Sequence, residues 1–377
     1  MTTPPPSTTP PPPSAPPPRP APWVRTRLRA APLATVLGAA LAFVAVLLAA
    51  ALPRAQDRGA DQALRSFLRA SGPSDTSLLA TAPPPVNGQS PELLDATRQA
   101  LLARTGGSFH VDPGAVVYGS RTLNRQPLLN PGLSAPSGLP PMMSLLYVRH
   151  AEAHVQLVEG RWPSDTPAAG AASSPSGPSG PSSPSGAAAA DAPPLQIALS
   201  QHAARTIGAR LGSVLATAPV LGGTPRAEVV GIYTVPDETE DFWLDLGCLT
   251  RACERTSGER LFWVADALVG AGDLPRLDSW SRTAMDFWRL PVDIGPMRAD
   301  RLDATEREIA SYTAGPTAAE LVVETRRDLL RTSSRLPELF AQARARSQAA
   351  APLAAIGPAG VGGVAFVVLC LAGALAG

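Results

Sequence analysis

Two long uncharged runs frame the hydrophobic pattern of this chain, and everything between them is amphipathic in short pieces. The first runs from Ala30 to Pro53, directly after the basic cluster Arg25-Thr-Arg-Leu-Arg29. Its roughly 24 residues exceed the ~20 that a helix rising 1.5 Å per residue needs to cross ~30 Å of hydrocarbon. Arginines 19, 25, 27 and 29 precede the run, whereas Arg54 and Arg58 beyond it alternate with Asp57 and Asp61. The positive-inside bias therefore predicts a cytoplasmic N-terminus. A cleavable signal peptide competes through the small residues Ala49-Ala-Ala51, but its apolar region would be too long and too far from the N-terminus. The second run covers 347–377, is apolar enough to span from about Ala359, and carries Gly360, Gly363, Gly373 and Gly377 as small surfaces for helix packing. It reaches Gly377 without a charged flank, which predicts a truncated second span of a larger multispanning protein.

Between the runs, residues 54–70 keep helical spacing, with Ala60, Ala63, Leu64, Phe67 and Leu68 on one stripe, and predict a stalk continuing the first span. Strands are predicted at 77–81, 115–123, 143–159, 195–199, 213–218, 227–235, 260–268, 281–290 and 321–324. Ser90-Pro91-Glu92 opens a helix to about Arg104. Ser200 caps another through about Leu211, stopped by Gly212. Asp303 and Glu306 resemble a capping-box start, and Gly315-Pro316 ends that helix. Leu336, Leu339, Phe340 and Ala343 predict a return stalk. Strands with few helices between them point to α+β architecture with an antiparallel sheet.

Low complexity divides the chain further. Residues 1–29 are a Pro-rich tail with its basic flank, and 164–194 is a Ser/Pro/Gly/Ala tract without packing capacity. The predicted organisation is a tail (1–29), a first transmembrane helix (30–53), a first ectodomain part with its stalk (54–163), the insertion (164–194), a second ectodomain part with the return stalk (195–346), and a second transmembrane helix (347–377).

Composition narrows the chemistry. A net charge of +1 argues against a nucleic-acid partner, and all 32 basic residues are arginine. Without lysine the chain has neither the phosphate-binding Lys of a P-loop nor a Schiff-base amine. Cys248 and Cys253, in a C-x4-C loop of the predicted outer region, are disulfide candidates; zinc would want further Cys or His ligands nearby. His150, Glu152 and His154 alternate on the predicted 143–159 strand, so one face would carry a partial metal set, or simply a polar surface. Ser200 lies in Ala-Leu-Ser-Gln rather than a G-x-S-x-G elbow, so its nearness to His202 is no sign of a hydrolase. No catalytic, metal or cofactor residue is expected, and the chain is expected not to be an enzyme.

With these residues in view, the sequence resembles the first part of an FtsX/MacB-like ABC-transporter permease. The resemblance rests on Ala51-Leu-Pro-Arg-Ala-Gln-Asp-Arg58 after the first span, Val158-Glu-Gly-Arg-Trp-Pro163, Ile197-Ala-Leu-Ser200 leading to a helix ending Arg210-Leu-Gly212, and Val229-Val-Gly-Ile-Tyr233. It implies a membrane protein whose transmembrane helices flank an α+β extracytoplasmic domain like the MacB periplasmic core. It also implies a separate ABC ATPase subunit and a second permease subunit as partners, besides the lipid bilayer, and a location in the cell membrane as a multi-pass protein. The family has a smaller, largely β part inserted in its ectodomain, which here would begin near Leu195. The tract after Pro163 departs from the family pattern. The alternative is a membrane-anchored extracytoplasmic binding or sensor module that regulates envelope enzymes.

Overall fold

The computed structural model describes residues 32–85, 88–166, 193–220 and 223–349. Residues 350–377 of the predicted second span and most of the low-complexity tract lie outside them, as does the N-terminal tail. Two compact units separate, Met1–Gly59 with Ser347–Gly377, and Ala60–Arg346. Helix α1, Pro32–Ser71, begins in the first unit and ends in the second. In the first unit its side chains Val36, Leu37, Phe43, Val44, Val46 and Leu47 are exposed. Among the described residues no helix is long and apolar enough to cross a membrane.

The second unit is a mixed α/β domain built on one large sheet. Its strands are β1 (Ser77–Ala82), β2 (Val117–Thr122), β3 (Gln126–Pro127), β4 (Met142–Val148), β5 (Gln156–Gly160), β6 (Leu195–Ser200), β7 (Val214–Ala216), β8 (Arg226–Thr234), β9 (Cys253–Ser257), β10 (Arg260–Val269), β11 (Ala284–Pro291) and β12 (Arg331–Ser334). The main path runs β12-β1-β11-β2-β4-β10-β6-β8-β5. Strands from before and after the low-complexity tract are interleaved along this path, so both sides of the tract contribute to the one sheet of the Ala60–Arg346 unit. The sheet is not wholly antiparallel, because β10 runs parallel to β4 and β6 parallel to β8. The second parallel pair follows from helix α3 (Gln201–Ile207), which carries the chain back to the starting end between β6 and β8.

Both sheet faces are covered at its centre, which explains the near-continuous apolar runs of the inner strands. Along β4, Met143, Leu145 and Tyr147 enter the larger core while Leu146 and Val148 enter the smaller. The larger core also takes Leu94 and Leu101 of α2 (Pro91–Ala103), Ile309 and Tyr312 of α5 (Leu302–Ala314) and Leu321 of α6 (Pro316–Thr325). A four-residue helix, α4 (Asp278–Ser281), adds the buried Trp280, and the last described helix, α7, covers 336–349. The smaller core is roofed by the 241–252 segment through Trp243, Leu246 and Leu249.

Several predicted elements change. The 143–159 strand breaks after Val148, where His150 takes φ +61° and a 3-10 turn, Ala151–His154, precedes β5. The helix after Ser200 stops at Gly208, whose φ of +81° suits a residue without Cβ, one turn before Gly212. Residues 321–324 are helical inside α6, opened by Pro316 at its first position. Asp303 and Glu306 make no capping box; both pair with Arg344 of α7 instead.

The outer end of α1 and α7 meet in this unit. Leu64, Leu68, Leu336 and Phe340 share the larger core, and the Arg346 guanidinium lies 4.1 Å from the Phe67 ring centroid. Asp61 accepts the Ala299 N–H at 2.8 Å. The first and last strands, β1 and β12, are hydrogen-bonded neighbours. The two described ends of the low-complexity tract are also held close together. Gln196 Oε1 accepts from Arg161 and from the Ser164 N–H at 2.8 and 3.1 Å, and the Gly272 N–H bonds Ser164 O at 3.1 Å. A Cβ on Gly272 would sit 2.3 Å from Thr166 O, so glycine is needed for that approach.

On the helical side, Asp95 of α2 accepts the Tyr118 hydroxyl at 2.6 Å and two Arg149 donors at 3.1 and 3.3 Å. Desolvation pushes the Asp95 carboxyl up, but the bonds from Tyr118 and Arg149 outweigh it and leave the pKa below 3.8. Burial, then Asp95, pushes Tyr118 up to about 12. A depressed carboxylate stabilises the fold above its unfolded pKa and loses that contribution as pH falls through the folded value. Asp95→Asn should therefore be less stable than wild type at neutral pH, and the gap should narrow in acid, as pH falls past the ordinary carboxylate range and through the lowered folded value. Urea midpoints at neutral and acid pH measure this, and a gap independent of pH would count against the assignment.

Candidate functional site

At the C-terminal ends of β6 and β8 lies a polar cleft of about 490 Å³. Its walls are Ser200, Gln201, His202, Arg205 and Thr206 on one side and Tyr233, Thr234, Glu238 and Thr250 on the other. The position follows from topology, since strands turning into loops at one end of a parallel pair leave a crevice there.

The floor is fixed by bonds that remove it from chemistry. Ser200 is buried, and its Oγ accepts the Ala203 N–H at 3.1 Å as the cap of α3. His202 Nδ1 accepts the Ala252 N–H at 3.3 Å, which leaves Nε2 to carry the ring proton in the neutral form. Thr206 Oγ1 stands 3.4 Å from the same Nδ1. The Tyr233 hydroxyl, donating to Leu249 O at 2.8 Å, is held by burial well above its ordinary pKa. Ser200 and His202 thus face different backbone partners and form no nucleophile–base pair. The remaining wall groups can hydrogen-bond a polar ligand: Arg205 is exposed, with no ion pair among the described residues, and Glu238 pairs with Arg251.

The wall at Thr250 belongs to a small covalent loop. Cys248 and Cys253 are joined, with Sγ–Sγ 2.06 Å and Cα–Cα 5.6 Å. Beneath the loop lies Asp266 of β10, 1 % exposed. Its carboxylate accepts the Cys248 N–H at 2.8 Å, Ser144 Oγ at 2.5 Å and Arg125 Nη2 at 3.4 Å. The buried acid ties the disulfide loop to the sheet. Replacing Cys253 by Ser should cost about 2 kcal/mol by the loop-closure relation for so short a ring. Urea unfolding of the unreduced chain checks this, alongside a mass spectrum that should show Cys248 and Cys253 without free thiols.

Three further residues singled out in the sequence are scattered. With the 143–159 strand broken, His150, Glu152 and His154 do not share a strand face. His154 stacks on Phe242 at 3.7 Å between centroids and bonds Glu240 through Nδ1 at 2.8 Å, while His150 stands 3.8 Å from Glu152. Among the described residues no group of His, Cys, Asp and Glu could hold a metal ion. Sequence reasoning missed Arg205, Glu238 and Asp266. For Asp266 a signal existed, an acid inside the apolar strand Val264-Ala-Asp-Ala-Leu268.

No family model matches the chain, and no curated protein matches it. Six solved chains match. One of these is described as the crystal structure of "a domain of a putative Permease protein" from Porphyromonas gingivalis. It aligns over 63 % of this chain and 81 % of its own length, at 12 % identity and a TM-score of 0.25. That score is below the level at which two chains share a fold.

Proposed function

We propose that this chain is the permease subunit, or the N-terminal part of one, of an FtsX/MacB-like ABC transporter, coupling a separate ATPase to an extracytoplasmic domain. The reading rests first on the sequence resemblance. The observation that carries it further is the adjacency of the two ends of the Ala60–Arg346 unit. Its first and last strands pair, and the helices that lead to the two uncharged runs touch through Phe67 and Arg346. A relative movement of those helices would act on the edge of the sheet, and through its ladder on the rest of the domain. The apolar side chains exposed along α1 support a covering of lipid or of further helices. In this reading the domain is extracytoplasmic, the chain has no catalytic role of its own, and it pairs with a second permease subunit.

The test is purification of the tagged full chain from solubilised membranes of its source cells. Because the chain lacks lysine, P-loop ATP hydrolysis in that preparation reports a partner and not the chain. An ABC ATPase in comparable molar amount is the expected result, and a preparation from which any such ATPase is absent would sink the proposal. The polar cleft favours a second reading, a membrane-anchored binding or sensor module. Site-specific crosslinking from Arg205 that traps a peptide or envelope enzyme with or without ATPase would support that one instead.

A further inference from the structure

A second cavity lies between residues 244–246 and the sheet. It measures about 80 Å³. Three strands make its floor: Leu79 of β1, Val117 and Arg121 of β2, and Phe287 and Arg289 of β11. Leu79 pairs across the ladder with Arg289, and Val117 with the same residue from the other side. Leu244 and Leu246 close the roof, and Asp245 stands at the rim with φ +63°.

Its two arginines are unusual for a wall that is otherwise aliphatic and aromatic. Arg289 is 4 % exposed. Its terminal nitrogens donate to the carbonyls of Asp241, Phe242 and Leu244, which holds the roof down, but its Nε has no partner. The Arg121 guanidinium lies over the Phe287 ring at 5.5 Å and makes no hydrogen bond among the described residues. Desolvation draws both guanidinium pKa values downward, a cost that a bound anion would relieve. Asp245 is the only acid in the wall, 3.8 Å from Arg289. The nearby Arg125 and Asp266 pair with each other. Two cations against one anion leave the cavity one positive charge in excess.

We propose that this cavity binds a small aliphatic monocarboxylate, with its carboxylate on Arg121 and its hydrocarbon body among Leu79, Val117, Leu246 and Phe287. The volume limits the body to a few carbons. The charge excess selects an anion over a neutral or zwitterionic molecule, and the apolar wall selects hydrocarbon over phosphate or sulfate. Leu79, in the middle of β1 and 38 % exposed, is the lining residue a ligand would pass. The site shares no lining residue with the polar cleft and does not depend on the transport reading.

Saturation-transfer NMR on the purified full chain tests the idea, with isovalerate and its neutral isostere isovaleramide as probes. Wild-type protein should give a saturable isovalerate signal, with the amide weaker by about tenfold or more, the loss of one charge-assisted hydrogen bond. Arg121→Gln should abolish that preference for the acid, and Leu79→Trp, at the rim, should abolish binding of both. Absence of a saturable isovalerate signal, equal affinity for acid and amide, or an acid preference that survives Arg121→Gln in folded protein overturns the proposal. If Arg121→Gln fails to fold by circular dichroism, the wild-type acid-to-amide ratio and Leu79→Trp decide.

Discussion

Asp286→Ala should lower the unfolding free energy by about 3–5 kcal/mol, because it strands a buried cation. Asp286 sits on β11 between β1 and β2 with no exposed surface. Its Oδ2 takes Arg327 Nη1 at 2.5 Å, and its Oδ1 accepts from Gln89. Arg327 is itself buried, 5.1 Å over the Trp288 ring, and its Nη2 already lacks a partner. Without the carboxylate, that guanidinium keeps only the Pro83 carbonyl at 3.4 Å. Removing both charges is a different matter, since a hydrophobic pair of similar volume spares both desolvation costs. Asp286→Leu combined with Arg327→Met should therefore recover most of the loss. Urea unfolding of the two single variants and the double gives the coupling directly. A single-variant cost under about 1 kcal/mol would mean that the pair is not closed in solution.

Phe340→Ala should cost a similar amount, about 3–5 kcal/mol, for a different reason. Phe340 is fully buried, in the same core as Leu64 and Leu68 of α1 and Leu336 of α7. Its loss opens a cavity where the two helices meet, and the packing there can collapse only by moving one of them. If the proposed coupling is right, ATP hydrolysis in the purified complex should lose its sensitivity to the outer domain under conditions where the variant is still folded. Chemical denaturation measures the first effect and ATPase rates the second. A well-packed variant within about 1 kcal/mol of wild type would remove Phe340 from the core assignment.

Much of the architecture could be read from residues alone because their periodicity is local. Ser90 caps α2 and Pro91 opens it, as the spacing predicts, and the Leu64, Phe67 and Leu68 stripe is the face that α1 buries. Where sequence reasoning failed, the deciding contact was distant. Leu321 to Glu324 has strand-like composition, but Pro316 and the packing of Leu321 under the sheet make it helical. Residues 149–155 alternate like a strand, yet the left-handed turn at His150 and the stacking of His154 on Phe242, 88 positions later, fold them otherwise. Sheet order was out of reach for the same reason, since nothing local says that β12 lies beside β1. Of the polar cleft, only Ser200 and His202 stood out in the sequence, and the fold gives them structural bonds. Arg121 and Arg289 look like two more arginines among 32 basic residues until β2 and β11 lie side by side.

The pinning of Arg161, Ser164 and Gln196 beside Gly272 has a consequence for how such a chain can change over time. With both ends of the low-complexity tract held by the sheet, the length of what lies between them scarcely enters the stability of the domain. Closing a flexible loop of twice the length costs only about 0.6 kcal/mol more. Repeats such as Pro-Ser-Gly can expand or contract there by replication slippage without selection on folding to oppose them. The same place is a natural socket for an engineered reporter or affinity tag, carried by a domain whose strands on either side, β5 and β6, are both paired to β8.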